Sequence, residues 1–207
     1  MNEEEARNWV RGHFGVPRET ILARYADILC EESARQNLIA ASTLDQLWVR
    51  HLVDSAQLLL LAKDAGEGDW LDVGAGAGLP GMVAAILSDR PVVLVEPRAK
   101  RAEFLREAAV MLDLPRRVTV VASRVEAYKP ARPAAIVSAR AVAALPGLLR
   151  STIHCTDSST VWLLPKGRNA QSEVEAARAN WQGSFHVEPS ITQPDSGIVV
   201  AREVRPR

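Results

Sequence analysis

Cysteine is scarce. Cys30 and Cys155 are the only two in 207 residues, and neither lies in a metal-ligand or redox spacing. That excludes a disulfide scaffold and a cysteine-rich metal site, and it suits a reducing cytoplasm. Long apolar runs are missing too: Leu58–Leu61 is bracketed by Gln57 and Lys63, so no segment is expected to span a bilayer. The first residues, Met1-Asn2-Glu3-Glu4-Glu5, are acidic and carry no apolar signal core. Net charge is also absent, since 25 basic residues balance 25 acidic ones. Overall charge therefore argues neither for nor against a nucleic-acid partner; any such argument must rest on where the charges sit. No internal repeat or low-complexity segment interrupts the chain. What remains is ordinary globular material, 47% hydrophobic and 24% charged, long enough for one domain with a short appendage and a core that needs no staples.

The chain is organised around Trp70-Leu71-Asp72-Val73-Gly74-Ala75-Gly76-Ala77-Gly78-Leu79-Pro80-Gly81 and the apolar residues that follow it. This reads as a buried strand ending in an acid, a glycine-rich turn, and a helix opened by Pro80, a residue tolerated in a first helical turn. Gly74, Gly76 and Gly78 let the backbone turn sharply and leave no side chain between it and a ligand. Such a ligand lies outside the carboxyl end of a parallel strand, where sheets of this kind bind nucleotides. Gly76-Ala77-Gly78-Leu79-Pro80-Gly81 also fits the dinucleotide pattern, so a nicotinamide cofactor stays open at this point. Val92-Val93-Leu94-Val95 forms a second strand, and Glu96 ends it twenty-two residues after Gly74. That is where a carboxylate must sit to accept bonds from ribose hydroxyls.

Residues 1–64 read as a helical extension and 65–207 as the nucleotide-binding core. Ile21, Leu22, Tyr25, Ile28 and Leu29 mark one apolar helical face, and Leu47, Leu52, Ala56, Leu59 and Leu60 a second. Ser42-Thr43 reads as a turn and N-cap between them. On the second helix Arg50 and Asp54 are four apart and able to pair, with His51 beside them. From Gly66 onward strands alternate with helices, which predicts an α/β fold with a mostly parallel sheet covered on both faces. The expected elements are a helix over 98–112, strands at 118–122, 134–138 and 161–164, and a polar helix over 170–181. Short strands at 185–187 and 198–201 are expected to pair antiparallel at the sheet's far side.

Charges gather at the strand exits. Arg98, Lys100 and Arg101 follow Glu96; Arg124 follows the third strand, Arg140 the fourth, and Lys166 and Arg168 the fifth. In a parallel sheet these exits share one edge, so a neutral protein lines that edge with cations, a pattern that favours a polyanion. Asp72, Glu96 and Glu126 lie at or just past strand ends, near the glycine turn. Acids there suit a cationic cofactor such as S-adenosylmethionine better than a dinucleotide, whose pyrophosphate prefers bare amides. Each acid also has a structural use: Asp72 can hold the turn's amides and Glu126 can cap a helix.

The motifs Arg50-His51-Leu52-Val53-Asp54-Ser55, Asp72-Val73-Gly74 through Gly81, Lys100-Arg101-Ala102-Glu103-Phe104-Leu105-Arg106, Ser123-Arg124-Val125-Glu126, Ala139-Arg140-Ala141 and Lys166-Gly167 resemble, in that order, the bacterial 16S rRNA guanine-N7 methyltransferase family, also called the glucose-inhibited division protein B family. The resemblance runs from about residue 20 to the C-terminus. It implies a class I S-adenosylmethionine-dependent methyltransferase fold, Rossmann-like, with a helical N-terminal extension. It also implies methyl transfer to N7 of one guanine in the decoding-region loop. By position, Gly74 and Leu79 would touch the cofactor, Val125 and Glu126 would meet the adenine, and Arg140 would close the site. Gly76, Gly78 and Asp72 belong to the same turn, and Glu96 stands where the family more often has aspartate. Arg50, His51, Lys100, Arg101, Arg124 and Lys166 form the expected RNA-facing set.

Guanine N7 has a free lone pair on the major-groove edge of the base. It needs alignment, not deprotonation, so no residue is assigned as a general base and no metal is expected. The expected partners are 16S rRNA or a small-subunit precursor, and the expected state is a cytoplasmic monomer. Two other functions remain: an NAD-dependent oxidoreductase, for which no Tyr-x-x-x-Lys pair follows the third strand, and a non-catalytic rRNA-binding assembly factor on the same fold.

Overall fold

Asn2 starts the first helix. Its side-chain oxygen accepts the Glu5 amide and the Glu5 carboxylate accepts the Asn2 amide, which satisfies two orphan donors of α1 (Glu3–Phe14). Gly15 ends that helix at φ 85°, and α2 (Val16–Ser33) follows with Pro17 in its first turn. Glu19, almost fully buried, accepts from Arg7 and Arg11 and so ties α2 to α1. Burial pushes its pKa up, but the two guanidinium groups outweigh that and hold it below the ordinary value. A computed structural model describes all 207 residues.

The second expected helix is broken. A 3₁₀ turn (Ala41–Gln46) leads into a π-helical turn (Trp48–Val53), then into two short pieces, α3 (Asp54–Ala56) and α4 (Leu58–Leu61). Thr43 does not cap it; its hydroxyl donates back to the Ala40 carbonyl. The cause lies in α1. The Glu3 carboxylate accepts the amides of Trp48 and Val49 at 2.9 and 3.0 Å, and Arg7 lies 5.0 Å over the Trp48 ring. Those amides are therefore satisfied from outside the turn, which removes the need for a regular helical start.

The sheet has seven strands: β1 (Trp70–Val73), β2 (Val92–Val95), β3 (Val118–Val121), β4 (Ile136–Ser138), β5 (Val161–Lys166), β6 (Trp181–Pro189) and β7 (Gly197–Pro206). Their order is β3-β2-β1-β4-β5-β7-β6. The first five are parallel, and β7 runs antiparallel to both its neighbours. Helices α5 (Gly81–Leu87), α6 (Ala99–Met111), α7 (Leu145–Thr152) and α8 (Ala170–Arg178) complete the core. Two hydrophobic clusters result, as buried parallel strands require. One joins the extension to α5 and α6 through Leu22, Tyr25, Leu52, Met82 and Leu105; the other packs α7 and α8 on the far side. The extension thus shares a continuous core with the sheet.

The C-terminal strands are longer than the 185–187 and 198–201 expected. They pair from Trp181↔Pro206 to Pro189↔Gly197, with a bulge at Gly183. Their outer residues are polar because β6 is an edge strand. The polar helix stops at Arg178, short of 181. No helix is long and apolar enough to cross a membrane.

Candidate functional site

Where β1 ends, the backbone folds back over β2: the amides of Gly74 and Ala75 both donate to the Val95 carbonyl. Gly74, Gly76 and Gly78 take φ values of 66°, 57° and 74°, a region that favours glycine. These glycines do different work. A Cβ at Gly78 would run into the Tyr25 hydroxyl, Met82 and Leu105, whereas a Cβ at Gly76 would meet nothing closer than 3.7 Å. Gly76 therefore leaves space that the Gly74 carbonyl and the Arg101 guanidinium border at ordinary contact distance, and Gly78 is pressed against the core. Helix α5 begins at Gly81, with Pro80 just outside it. The start of that helix is occupied, because Asp72 accepts the Gly81 amide from below, the structural use expected of it.

Asp72 is fully buried. Its Oδ1 accepts from Ser138 Oγ at 2.7 Å, Ser138 in turn accepts from Trp70 Nε1, and its Oδ2 accepts from Gly81 N at 2.9 Å. Burial pushes its pKa up to about 7; Ser138, Gly81 and Arg140 pull the other way and Glu96 adds to the rise. Asp72 thus supports the turn from beneath and is not open to a ligand. Glu96, 3% exposed, straddles the mouth of the turn, with Oε2 on the Gly76 amide and Oε1 on the Arg98 amide, both at 2.9 Å. Each of its oxygens keeps a further lone pair. Val125 is buried beside the half-exposed Glu126, whose carboxylate lies 3.7 Å from Arg124.

The Gly76 amide and the Glu96 carboxylate thus meet at the ends of β1 and β2, whereas Leu79 and Val125 belong to different hydrophobic clusters.

The cations divide into two sets. Arg140, past β4, bonds the extension through Asp54 Oδ2 (3.4 Å), the Arg50 carbonyl (3.4 Å) and His51 Nδ1 (3.2 Å). His51 Nδ1 accepts there, so Nε2 carries the proton and donates to Thr43 Oγ at 2.9 Å. Burial first, then Arg140 and Arg50, push the His51 pKa down to about 4. The expected Arg50–Asp54 pair is not formed. Asp54 is turned inward by Gln57 and Thr192, and Arg50 reaches Gln193 instead. Lys166 is paired as well, with Glu173 at 2.9 Å and the Ala143 carbonyl at 2.7 Å. Lys100 and Arg124, by contrast, are exposed, and Arg101 extends past Gly76 with a 3.5 Å contact to the Asn37 carbonyl.

A cavity of about 700 Å³ opens between the extension and the exits of β4 and β5, lined in part by Thr43, Arg50, His51, Arg140, Lys166 and Gln193. Val142 from its wall packs on Gly74, so the cavity adjoins the glycine turn. Its outer wall, the loop 190–196, is tied to the extension by Gln57 and Asp54. Sequence reasoning passes over Gln57, Thr192 and the hydroxyl of Tyr25, which donates to the Ala77 carbonyl. No motif marks them, and Tyr25 carries only the signal of a core position.

A family model described as GidB, rRNA small subunit methyltransferase G, matches residues 18–197. Over its whole length the chain is 47% identical to the ribosomal RNA small subunit methyltransferase G of Rhizorhabdus wittichii, covering 95% of that protein. It is 45% identical to the protein of the same name from Zymomonas mobilis subsp. mobilis, again over the whole chain and 96% of the relative. Among solved structures it resembles the glycopeptide N-methyltransferase MtfA complexed with sinefungin, with a TM-score of 0.60 at 13% identity over 73% of this chain and 93% of that one. It also resembles a predicted O-methyltransferase, Atu636 from Agrobacterium tumefaciens, with a TM-score of 0.56 at 24% identity over 73% and 79%. The fold is that of the class I S-adenosylmethionine-dependent methyltransferases, and the nicotinamide reading of the glycine pattern is set aside.

Proposed function

The chain belongs to the GidB family, rRNA small subunit methyltransferase G, and we propose that it moves a methyl group from S-adenosylmethionine to N7 of a guanine in the decoding-region loop of 16S rRNA. Gly74, Gly76, Leu79, Glu96, Val125 and Glu126 hold the cofactor, with Gly78 and Asp72 shaping the turn from below. When bound, S-adenosylmethionine supplies an electrophilic methyl group.

The observation that carries the reading is the sorting of charge around the cavity. Of the basic side chains Arg50, Arg140 and Lys166 that line it, the last two are matched by carboxylates, Asp54 and Glu173, and Arg50 is turned to the Gln193 amide. A guanine methylated at N7 gains positive charge, and unmatched cations against the ring would oppose that. The cavity therefore seats the base, while exposed Lys100, Arg124 and the neighbouring Arg101 take phosphates. This divides the expected RNA-facing set: Lys166 shapes the base seat and Arg50 and His51 form its wall on the extension side, where Arg140, expected to close the cofactor site, joins them. His51 is engaged at both ring nitrogens and stays neutral, so it moves no proton. N7 needs none removed. The residues act by holding the base and excluding water. Only six large apolar side chains are exposed, which supports a monomer; its substrate is folded rRNA or a subunit precursor in the cytoplasm.

The test is transfer of labelled methyl from S-adenosylmethionine to 30S particles or bare 16S rRNA, followed by mapping of the modified base. Label at guanine N7 in one loop is expected. Label elsewhere on the base would overturn the N7 assignment, and binding without transfer on either substrate would favour a non-catalytic assembly factor.

A further inference from the structure

Two consecutive residues of the glycine turn are pinned by side chains from distant parts of the chain. On the outer side the Glu96 carboxylate accepts the Gly76 amide. On the inner side the hydroxyl of Tyr25, carried on α2, donates to the Ala77 carbonyl. The Tyr25 ring is fully buried and packs in the cluster that joins the extension to α5 and α6. A leucine or phenylalanine would serve that packing without burying a polar atom. The hydroxyl reaches into the space beside Gly78, where even a methyl group would collide with it. Burial, with Asp72 near, holds the phenol far above its ordinary pKa, so it remains a donor throughout the working range.

We propose that Tyr25 is a positioning residue for cofactor binding: by fixing the Ala77 peptide it keeps Gly76 turned outward, and it makes the N-terminal extension part of the cofactor site. The inference rests on the cofactor lying at the glycine turn. Tyr25 does not touch the cofactor; it acts through Ala77 and Gly78.

Tyr25→Phe removes the hydroxyl alone. Calorimetry with S-adenosylhomocysteine should show a Kd raised by about five- to tenfold, the worth of one buried hydrogen bond. The KM for S-adenosylmethionine should rise by the same factor, with kcat at saturating cofactor and KM for RNA unchanged. Tyr25→Leu, which also alters the packing, should weaken binding at least as much and lower the melting temperature further. A lowered melting temperature with unchanged Kd in Tyr25→Phe would overturn the proposal. So would weakened binding in Tyr25→Leu alone, since that assigns the effect to the ring. Selective ¹⁵N-glycine labelling of the wild type, with 12 glycines in the chain, tests the premise separately. If S-adenosylhomocysteine leaves the Gly74, Gly76 and Gly78 resonances in place, the cofactor lies elsewhere and both readings fall. If they shift while Tyr25→Phe binds normally, only the role of Tyr25 falls.

Discussion

The glycine turn and the cation rim share one edge of the sheet and are built in opposite ways. At the turn the working groups are backbone amides and short acids, and each is held by a partner: Gly76 by Glu96, Gly81 by Asp72, Asp72 by Ser138. At the rim the working groups are long cationic side chains, and what separates them is burial. Arg140 and Lys166 are largely covered and meet carboxylates, while Lys100 is exposed and Arg124, 79% exposed, has only the half-exposed Glu126 at 3.7 Å. The difference shows how a neutral chain serves two charged ligands. Under the proposed function, the small ligand would take a seat fixed in advance, and the large polyanion a surface on which Arg140 and Lys166 are already paired and Lys100 is not.

The sharpest way to break this contrast is to crowd each half equally. A Cβ at Gly81 would stand 2.7 Å from Asp72 Cβ and press on Leu94, whereas one at Gly167, on the rim, would meet nothing within 4 Å. Gly81→Ala should cost about 3 kcal/mol in denaturant melts, from overpacking and the weakened Asp72 bond, and abolish cofactor binding. Gly167→Ala should stay within about 0.5 kcal/mol. Comparable losses would mean that the rim is as tightly specified as the turn.

Asp72 offers a second effect, on stability alone. Its pKa of about 7 in the folded chain lies above the ordinary 3.8, so the folded state favours the protonated acid. The stabilisation is complete below pH 4 and is lost as the pH rises through 7, by at most on the order of 4 kcal/mol. Asp72→Asn removes this dependence. Urea melts at pH 5 and pH 8 should therefore show the wild type losing stability relative to the variant as pH rises. Parallel pH profiles would place Asp72 in a wetter setting than its burial implies.

The mildest test separates the rim's two kinds of cation. Arg124→Ala should leave the melting temperature unchanged and reduce the salt slope of RNA binding by about 1. Lys166→Ala should instead lower the melting temperature, because Glu173 loses its partner, and should leave the slope in place. Equal changes in slope would merge the two sets.

These halves were not equally legible in the chain. The turn could be read because strand, glycine spacing and a second acid at the end of β2 are local patterns, and the parallel order follows from alternating elements. Trp70–Val73, Val92–Val95 and Ala99–Met111 fall where periodicity places them. The rim was harder because ion-pair choice is made across the fold. Arg50 and Asp54 invite pairing at four residues apart, yet Asp54 faces Gln57, Thr192 and Arg140. The π-helical turn escaped for a similar reason, since its start is held by Glu3 from another helix. Edge strand β6 hid its length because its outward residues are polar. Tyr25 was visible only as bulk, and a hydroxyl's destination is not written in helical spacing.

The position of β7 has one more consequence, for the order of events on the translating ribosome. That strand slots between β5 and β6 although both are synthesised before it. Until Gly197–Pro206 has emerged, β5 has an open edge and β6 has nothing to pair with. The loop that Gln57 and Asp54 grip is then anchored at neither end. A nascent chain halted before Gly197 thus already carries its glycine turn but has no finished receptacle for a nucleotide, because the segment that closes it follows both strands it joins.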